Sequence, residues 1–102
     1  MKTSKAVRSL RSLSDKEIEG CVDGATSIPM LKDIFALPNV INKDGFIFTD
    51  LFADRFAKYL EGFLDGDVGS DEWREADNIN YDWGMSIACN INELLSVHEY
   101  VD

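Results

Sequence analysis

The sequence has little of what metal and thiol chemistry require. It contains one histidine and two cysteines in 102 residues. Cys21 and Cys89 are far apart and neither they nor His98 has a partner at a zinc-ligand spacing, so no metal site is predicted. Both cysteines have apolar neighbours and are predicted to act as small core residues in a reducing compartment. The spacing leaves a disulfide between them open.

Motifs that organise catalysis are also missing. The chain has no glycine-rich phosphate loop and no recognisable nucleophile motif. Cys89 and His98 are nine residues apart on one predicted helix, which is too far for a nucleophile and its base. Nineteen acidic residues bring some carboxylates together by chance, so pairs of acids are weak evidence for acid-base catalysis. We therefore predict a protein that is not an enzyme and needs no cofactor.

Long hydrophobic runs are absent from the sequence. No apolar stretch is long enough to cross a membrane, and charges interrupt the start before a signal peptide could form. The predicted location is therefore the cytoplasm. The basic residues of the start recur at near-helical spacing, as is usual for a solvated helix face rather than a membrane or RNA-binding arm. These residues are Lys2, Lys5, Arg8 and Arg11.

Positive charge is scarce in the second half of the chain. Residues 1–16 have a net charge of +4, residues 17–60 of −3 and residues 61–102 of −10. Phosphates would be repelled by most of this chain, so direct binding of nucleic acid is not predicted. A basic protein is the partner that the charge favours.

The acidic charge is densest between Asp65 and Asp82, where seven carboxylates accompany one cation, Arg74. Aromatic residues ringed by charges are typical of interface centres, and this stretch contains Trp73 and Tyr81. Trp83 follows, but it shares a helical period with later apolar residues and is predicted to lie in the core. We assign a partner-binding surface to Asp65, Asp67, Asp71, Glu72, Trp73, Glu75, Asp77 and Tyr81.

The run that starts at Asp65 resembles the beginning of a calcium-binding EF-hand loop. An EF-hand needs glycine at its sixth position and glutamate at its twelfth. Counting from Asp65, those positions hold Ser70 and Ala76. A polar turn in which Ser70 caps the next helix explains the same residues without a metal. A calcium-binding module is therefore the weakest of the alternatives.

The pattern predicts an all-α fold, a single globular domain over 1–102 with four to five helices. The first helix begins at a Ser14–Glu17 capping box and runs through Val22 to a stop at Gly24. The second begins near Ser27, has Pro29 in its first turn and ends before Pro38.

The third predicted helix is capped by Thr49 or Asp50. Its core face comprises Phe52, Phe56, Tyr59, Leu60 and Phe63. A short fourth helix follows Ser70 through Ala76. A long fifth one runs from Tyr81 to Val97, weakened by Gly84 in its first turn. The inward positions of this last helix are Trp83, Ile87, Ile91, Leu94, Leu95 and His98. Residues 40–48 can form a minor β-hairpin.

In size, acidity and lack of catalytic motifs the chain resembles the immunity proteins of bacterial toxin systems, which inhibit contact-dependent growth inhibition toxins and nuclease bacteriocins. The resemblance covers the whole chain in charge and composition but no diagnostic motif. It implies an inhibitor that covers the basic active-site cleft of a cognate nuclease toxin. The main alternative is a phage nucleic-acid mimic, an anti-CRISPR or anti-restriction protein, which would use the same acids against a host DNA-binding groove.

Overall fold

Four α-helices make up more than half of the residues that the computed structural model describes, which are 5–22 and 26–96. They are α1 (Asp15–Gly20), α2 (Ile28–Phe35), α3 (Thr49–Leu60) and α4 (Asp71–Leu95). Single turns of 3-10 helix span Leu10–Ser12 and Glu61–Phe63. Within the described ranges the only β pairing is one antiparallel bridge between Ile41 and Ile47. The all-α prediction is confirmed, and the predicted hairpin is a minor element.

Helix α1 begins as its sequence predicts. The Ser14 hydroxyl accepts a hydrogen bond from the Glu17 amide at 3.1 Å, and the Glu17 carboxylate accepts one from the Ser14 amide at 3.0 Å. The helix ends at Gly20, so its predicted extension through Val22 is wrong. The amides of Cys21 and Val22 bond to carbonyls three residues back, which tightens the last turn and stops the helix. The predicted stop at Gly24 lies outside the described residues.

Glu17 also ties the N-terminal segment to α1. The two terminal nitrogens of Arg8 donate to its carboxylate at 2.7 and 3.1 Å, a bidentate geometry. The backbone amides of Val7 and Arg8 both donate to the Leu95 carbonyl at the end of α4. The guanidinium of Arg8, helped by the Ser14 amide, lowers the pKa of Glu17 from 4.5 to about 2. The ionised Glu17 carboxylate therefore links the N-terminal segment to α1, while the backbone of that segment bonds to the end of α4.

This pKa predicts a pH-dependent contribution of Glu17 to stability. A carboxyl whose pKa is lowered by folding stabilises the protein above its ordinary pKa, and the effect is lost as pH falls from about 4.5 to about 2. The free energy of unfolding of Glu17→Gln should therefore lie below that of the wild type at about pH 6, with the difference shrinking towards about pH 2. Urea titrations of both proteins across that range measure it. A constant difference would show that the ion pair contributes nothing.

Helix α2 matches its prediction. Ser27 caps it by accepting from the Met30 amide at 3.4 Å, Pro29 lies in its first turn, and its inner face buries Leu31 and Ile34.

Helix α3 departs from its prediction at both ends. The N-cap is Phe48, without a side-chain hydrogen bond, so the predicted caps Thr49 and Asp50 are already helical. Phe52 and Phe56 are fully buried and their rings stack at 6.0 Å. Tyr59 and Phe63 are exposed, so their assignment to the core is wrong. The helix ends at Leu60 and tightens into a 3-10 turn, which rotates Phe63 off the buried stripe.

Helix α4 is one continuous helix of 25 residues, which replaces the two shorter helices predicted on either side of residues 77–80. No proline or glycine interrupts that segment, so the capped first turn propagates into the long amphipathic part. Ile87, Ile91 and Leu95 are fully buried, as their period predicts. The predicted end at Val97 and the residue His98 lie outside the described residues. Of the two cysteines, both free thiols, Cys21 is buried, whereas Cys89 is exposed on the outer side of α4, so its predicted core position is wrong.

Helices α3 and α4 form an antiparallel hairpin whose facing sides contribute buried residues to the core. A Cβ added at Gly84 would lie 2.9 Å from the Cα of Ala53, and the Asn92 side chain hydrogen-bonds the backbone of Ile47. This register places the first two turns of α4 beside the α3–α4 loop, residues 61–70, at the end of the hairpin opposite the N-terminal segment. In the described ranges, no helix combines the length and apolarity needed to span a lipid bilayer.

Candidate protein-interaction surface

The α3–α4 loop is shaped by its own backbone hydrogen bonds. The Leu64 amide donates to the Glu61 carbonyl at 3.2 Å, and the Ser70 amide donates to the Asp67 carbonyl at 3.0 Å. Gly66 and Gly69 have φ values of 92° and 87°, which other residues rarely adopt. Ser70 then caps α4 by accepting from the Trp73 amide at 3.2 Å. The polar turn predicted for this run is confirmed.

The predicted partner-binding acids lie in this loop and in the first two turns of α4. The five exposed ones are Asp65, Asp67, Asp71, Glu72 and Glu75. Asp77 is half-buried, and its Oδ1 atom is covered without a hydrogen-bond partner in the described part of the chain. We call these six residues the acidic surface. Asp71 and Glu72 lie in the first turn of α4, where their negative charges interact favourably with the positive end of the helix dipole. This interaction offsets part of the repulsion among the acids.

No cation forms an ion pair with the acidic surface within the described ranges. The three ion pairs found there join Arg8 to Glu17, Lys32 to Asp15 and Arg55 to Asp54. Arg74, the one basic residue in this stretch, belongs to none of them. Like charges held together in this way raise the energy of the folded chain and create a negative potential that attracts a positive partner. The unpaired charge is therefore available for binding.

The two predicted aromatic anchors are half-buried. Trp73 lies in the first turn of α4 and Tyr81 two turns later. Partial burial raises the pKa of Tyr81, and the negative charges of Asp50, Asp54 and Asp82 raise it further. Asp50 and Asp54 of α3 thus lie near Tyr81, although Asp54 is paired with Arg55. Neither acid was predicted as part of the surface. Those acids are distant in sequence, and only the pairing of α3 with α4 brings them to Tyr81.

Trp83 is half-buried against the core, as predicted. Its ring meets the ring of Phe56 edge-on, with centroids 5.1 Å apart. The indole Nε1 atom is covered and has no hydrogen-bond acceptor in the described part of the chain. Trp83 therefore contributes to the α3–α4 contact, not to the acidic surface.

Exposed apolar side chains accompany these acids. Phe63 is 79% exposed, Val68 is 82% exposed and Ile79 is 61% exposed. Phe63 and Val68 belong to the α3–α4 loop, while Ile79 lies on α4 one turn after Glu75. Phe63 was predicted to lie in the core, and no role was predicted for Val68 or Ile79. A valine between Gly66 and Gly69 was the one local signal of an exposed position, because glycine-rich turns seldom enter a core.

In the residues that the structure describes, no three histidine, cysteine, aspartate or glutamate side chains converge as metal ligands do. The exposed carboxylates and apolar side chains of this region can form ion pairs and apolar contacts. Such a combination suits recognition of a protein surface.

Comparison of the chain with models of protein families, with curated proteins and with solved structures found no match. Any proposal for its function therefore depends on its own residues.

Proposed function

We propose that the chain is a binding protein that neutralises a basic bacterial toxin, a nuclease, by covering its active-site cleft with the acidic surface. One observation supports this above all. Five exposed carboxylates between Asp65 and Glu75 have no ion-pair partner among the described residues, and strongly exposed apolar side chains lie beside them. A nuclease must present cations to its substrate, so its cleft is complementary to such a surface.

The physical advantage of this arrangement is fast association. A negative patch steers a positive cleft into the correct orientation and can raise the association rate constant by orders of magnitude at low ionic strength. Because the charges are exposed, most of this gain should disappear as salt screens them beyond about 10 Å at 0.1 M. Apolar contacts that form afterwards would slow dissociation.

Inhibition can be tested with a partner captured from the native organism. Each captured protein is purified, and its cleavage of RNA and of DNA is measured while the chain is added in increasing amounts. We expect cleavage to stop near a one-to-one molar ratio. A captured DNA-binding protein without nuclease activity would favour the nucleic-acid mimic instead. A partner that binds but keeps full nuclease activity would contradict the proposal.

Charge neutralisation tests whether the acidic surface makes the contact. The triple variant Asp71→Asn, Glu72→Gln and Glu75→Gln should slow association by about tenfold or more at low salt and flatten its dependence on ionic strength. Surface plasmon resonance at several salt concentrations measures both quantities.

The matched control removes the same charge elsewhere, with Glu19→Gln, Asp33→Asn and Glu93→Gln, all exposed. This control should retain most of the association rate, because the acidic surface keeps its own charge. Equal effects of the two triple variants would mean that net charge matters and the location does not. An unchanged rate for the first triple would show that the contact lies on another face.

A further inference from the structure

The α3–α4 loop presents the two most exposed large apolar side chains of the described residues. Phe63 and Val68 are 79% and 82% exposed, against 61% for Ile79 and less than half for the other large apolar residues on the described surface. Single exposed apolar residues are common on protein surfaces. Two at such exposure in one loop are unusual, because neither contributes to the core that the rest of the chain builds.

The exposure of these side chains is imposed by the shape of the loop. Hydrogen bonds close one turn at Glu61–Leu64 and another at Asp67–Ser70, on either side of Gly66. The left-handed backbone at Gly66 and Gly69 reverses the chain around Val68. Because these hydrogen bonds restrict the loop before it binds, burying its apolar side chains should cost less conformational entropy than ordering a free segment.

The charges around the loop narrow the choice of partner. Glu61, Asp65 and Asp67 lie within it, and Asp71 and Glu72 follow directly, while no described cation pairs with any of them. A second copy of the same loop, an anionic membrane and a nucleic acid would all be repelled by this charge. The surface is complementary to a protein cleft that has cations at its rim and an apolar pocket within.

We propose that the α3–α4 loop is the element that enters the partner's cleft. Phe63 and Val68 fill an apolar pocket, while Asp65 and Asp67 pair with cations at its rim. This inference rests on the proposed function in taking the partner to be a basic protein. It also moves the centre of the contact from the half-buried Trp73 and Tyr81 to the loop, which supplies the exposed anchors.

The test compares two double variants against the protein captured from the native organism. Phe63→Ala with Val68→Ala should raise the dissociation constant at least tenfold, mainly through faster dissociation, as expected when interface anchors are truncated. Val7→Ala with Phe48→Ala removes the same side-chain types at positions that are 44% and 49% exposed elsewhere. This control should change the dissociation constant by less than about threefold. Circular dichroism melts establish that both variants are folded.

The outcomes separate this inference from the proposed function. If the acidic triple variant weakens binding and the loop variant does not, the loop inference is wrong and the acidic surface remains the contact. If the loop variant weakens binding to a captured protein that is not a nuclease, the loop is the contact and the toxin proposal fails. Equal effects of the loop variant and its control would also overturn the inference.

Discussion

Asn92→Ala is expected to lower the free energy of unfolding by roughly 2–4 kcal/mol, the cost of leaving two backbone groups without their partners. The side-chain oxygen of Asn92 accepts from the Ile47 amide at 2.7 Å, and its nitrogen donates to the Ile47 carbonyl at 2.9 Å. Ile47 is a buried residue, so water replaces these bonds poorly. Urea unfolding at neutral pH measures the loss.

Two further variants identify the cause of that loss. Asn92→Leu fills a similar volume but makes no hydrogen bond, so it should be destabilising too. Asn90→Ala removes a single bond from a side-chain amide to the Cys21 carbonyl and should cost only about 1 kcal/mol. If Asn92→Leu were as stable as the wild type, packing would matter at this position and the paired hydrogen bonds would not.

Asn92 also shows which parts of the fold the sequence can predict. The starts of α1 and α2 can be predicted from local sequence, because their signals lie within one helical turn. These signals are the Ser14–Glu17 capping box in α1 and the Ser27 cap followed by Pro29 in α2. The bond from Asn92 to Ile47 joins residues 45 positions apart, and no local pattern pairs them. From sequence alone, an asparagine on the inner side of a helix is only a weak helix former. Its role becomes clear once the backbone groups that it hydrogen-bonds are known.

The candidate surface divides in the same way. Its acids could be predicted from sequence alone, because charge is a property of residue type and most carboxylates are exposed in folded proteins. The exposure of Phe63 depends on where α3 ends. The prediction extended the helical period beyond Leu60, where α3 ends, and so placed this side chain in the core. The acids Asp50 and Asp54 come near Tyr81 only through the antiparallel pairing of two helices.

The predicted role of Gly84 as a weak point of the last helix is wrong, because helix propensity and packing act on this position in opposite directions. In an isolated helix glycine costs about 1 kcal/mol relative to alanine, which makes Gly84 look like a weak point near the start of a helix. In the fold it lies in the middle of α4, fully enclosed, where the backbone of α3 comes close. Absence of a side chain is what allows the two helices to approach.

Gly84→Ala should therefore destabilise the protein by about 1–3 kcal/mol, the usual range for overpacking a close contact, in spite of the better helix propensity of alanine. The new Cβ would lie 2.9 Å from the Cα of Ala53 and about as close to two atoms of Phe56, and the backbone atom cannot rotate away. Gly20→Ala is the matched control, since a Cβ there has no atom within 4 Å. It should be neutral or stabilising by up to about 1 kcal/mol. Thermal and urea unfolding should therefore show a loss of stability for Gly84→Ala and none for Gly20→Ala. A stabilising Gly84→Ala would mean that α3 and α4 are not in this close contact.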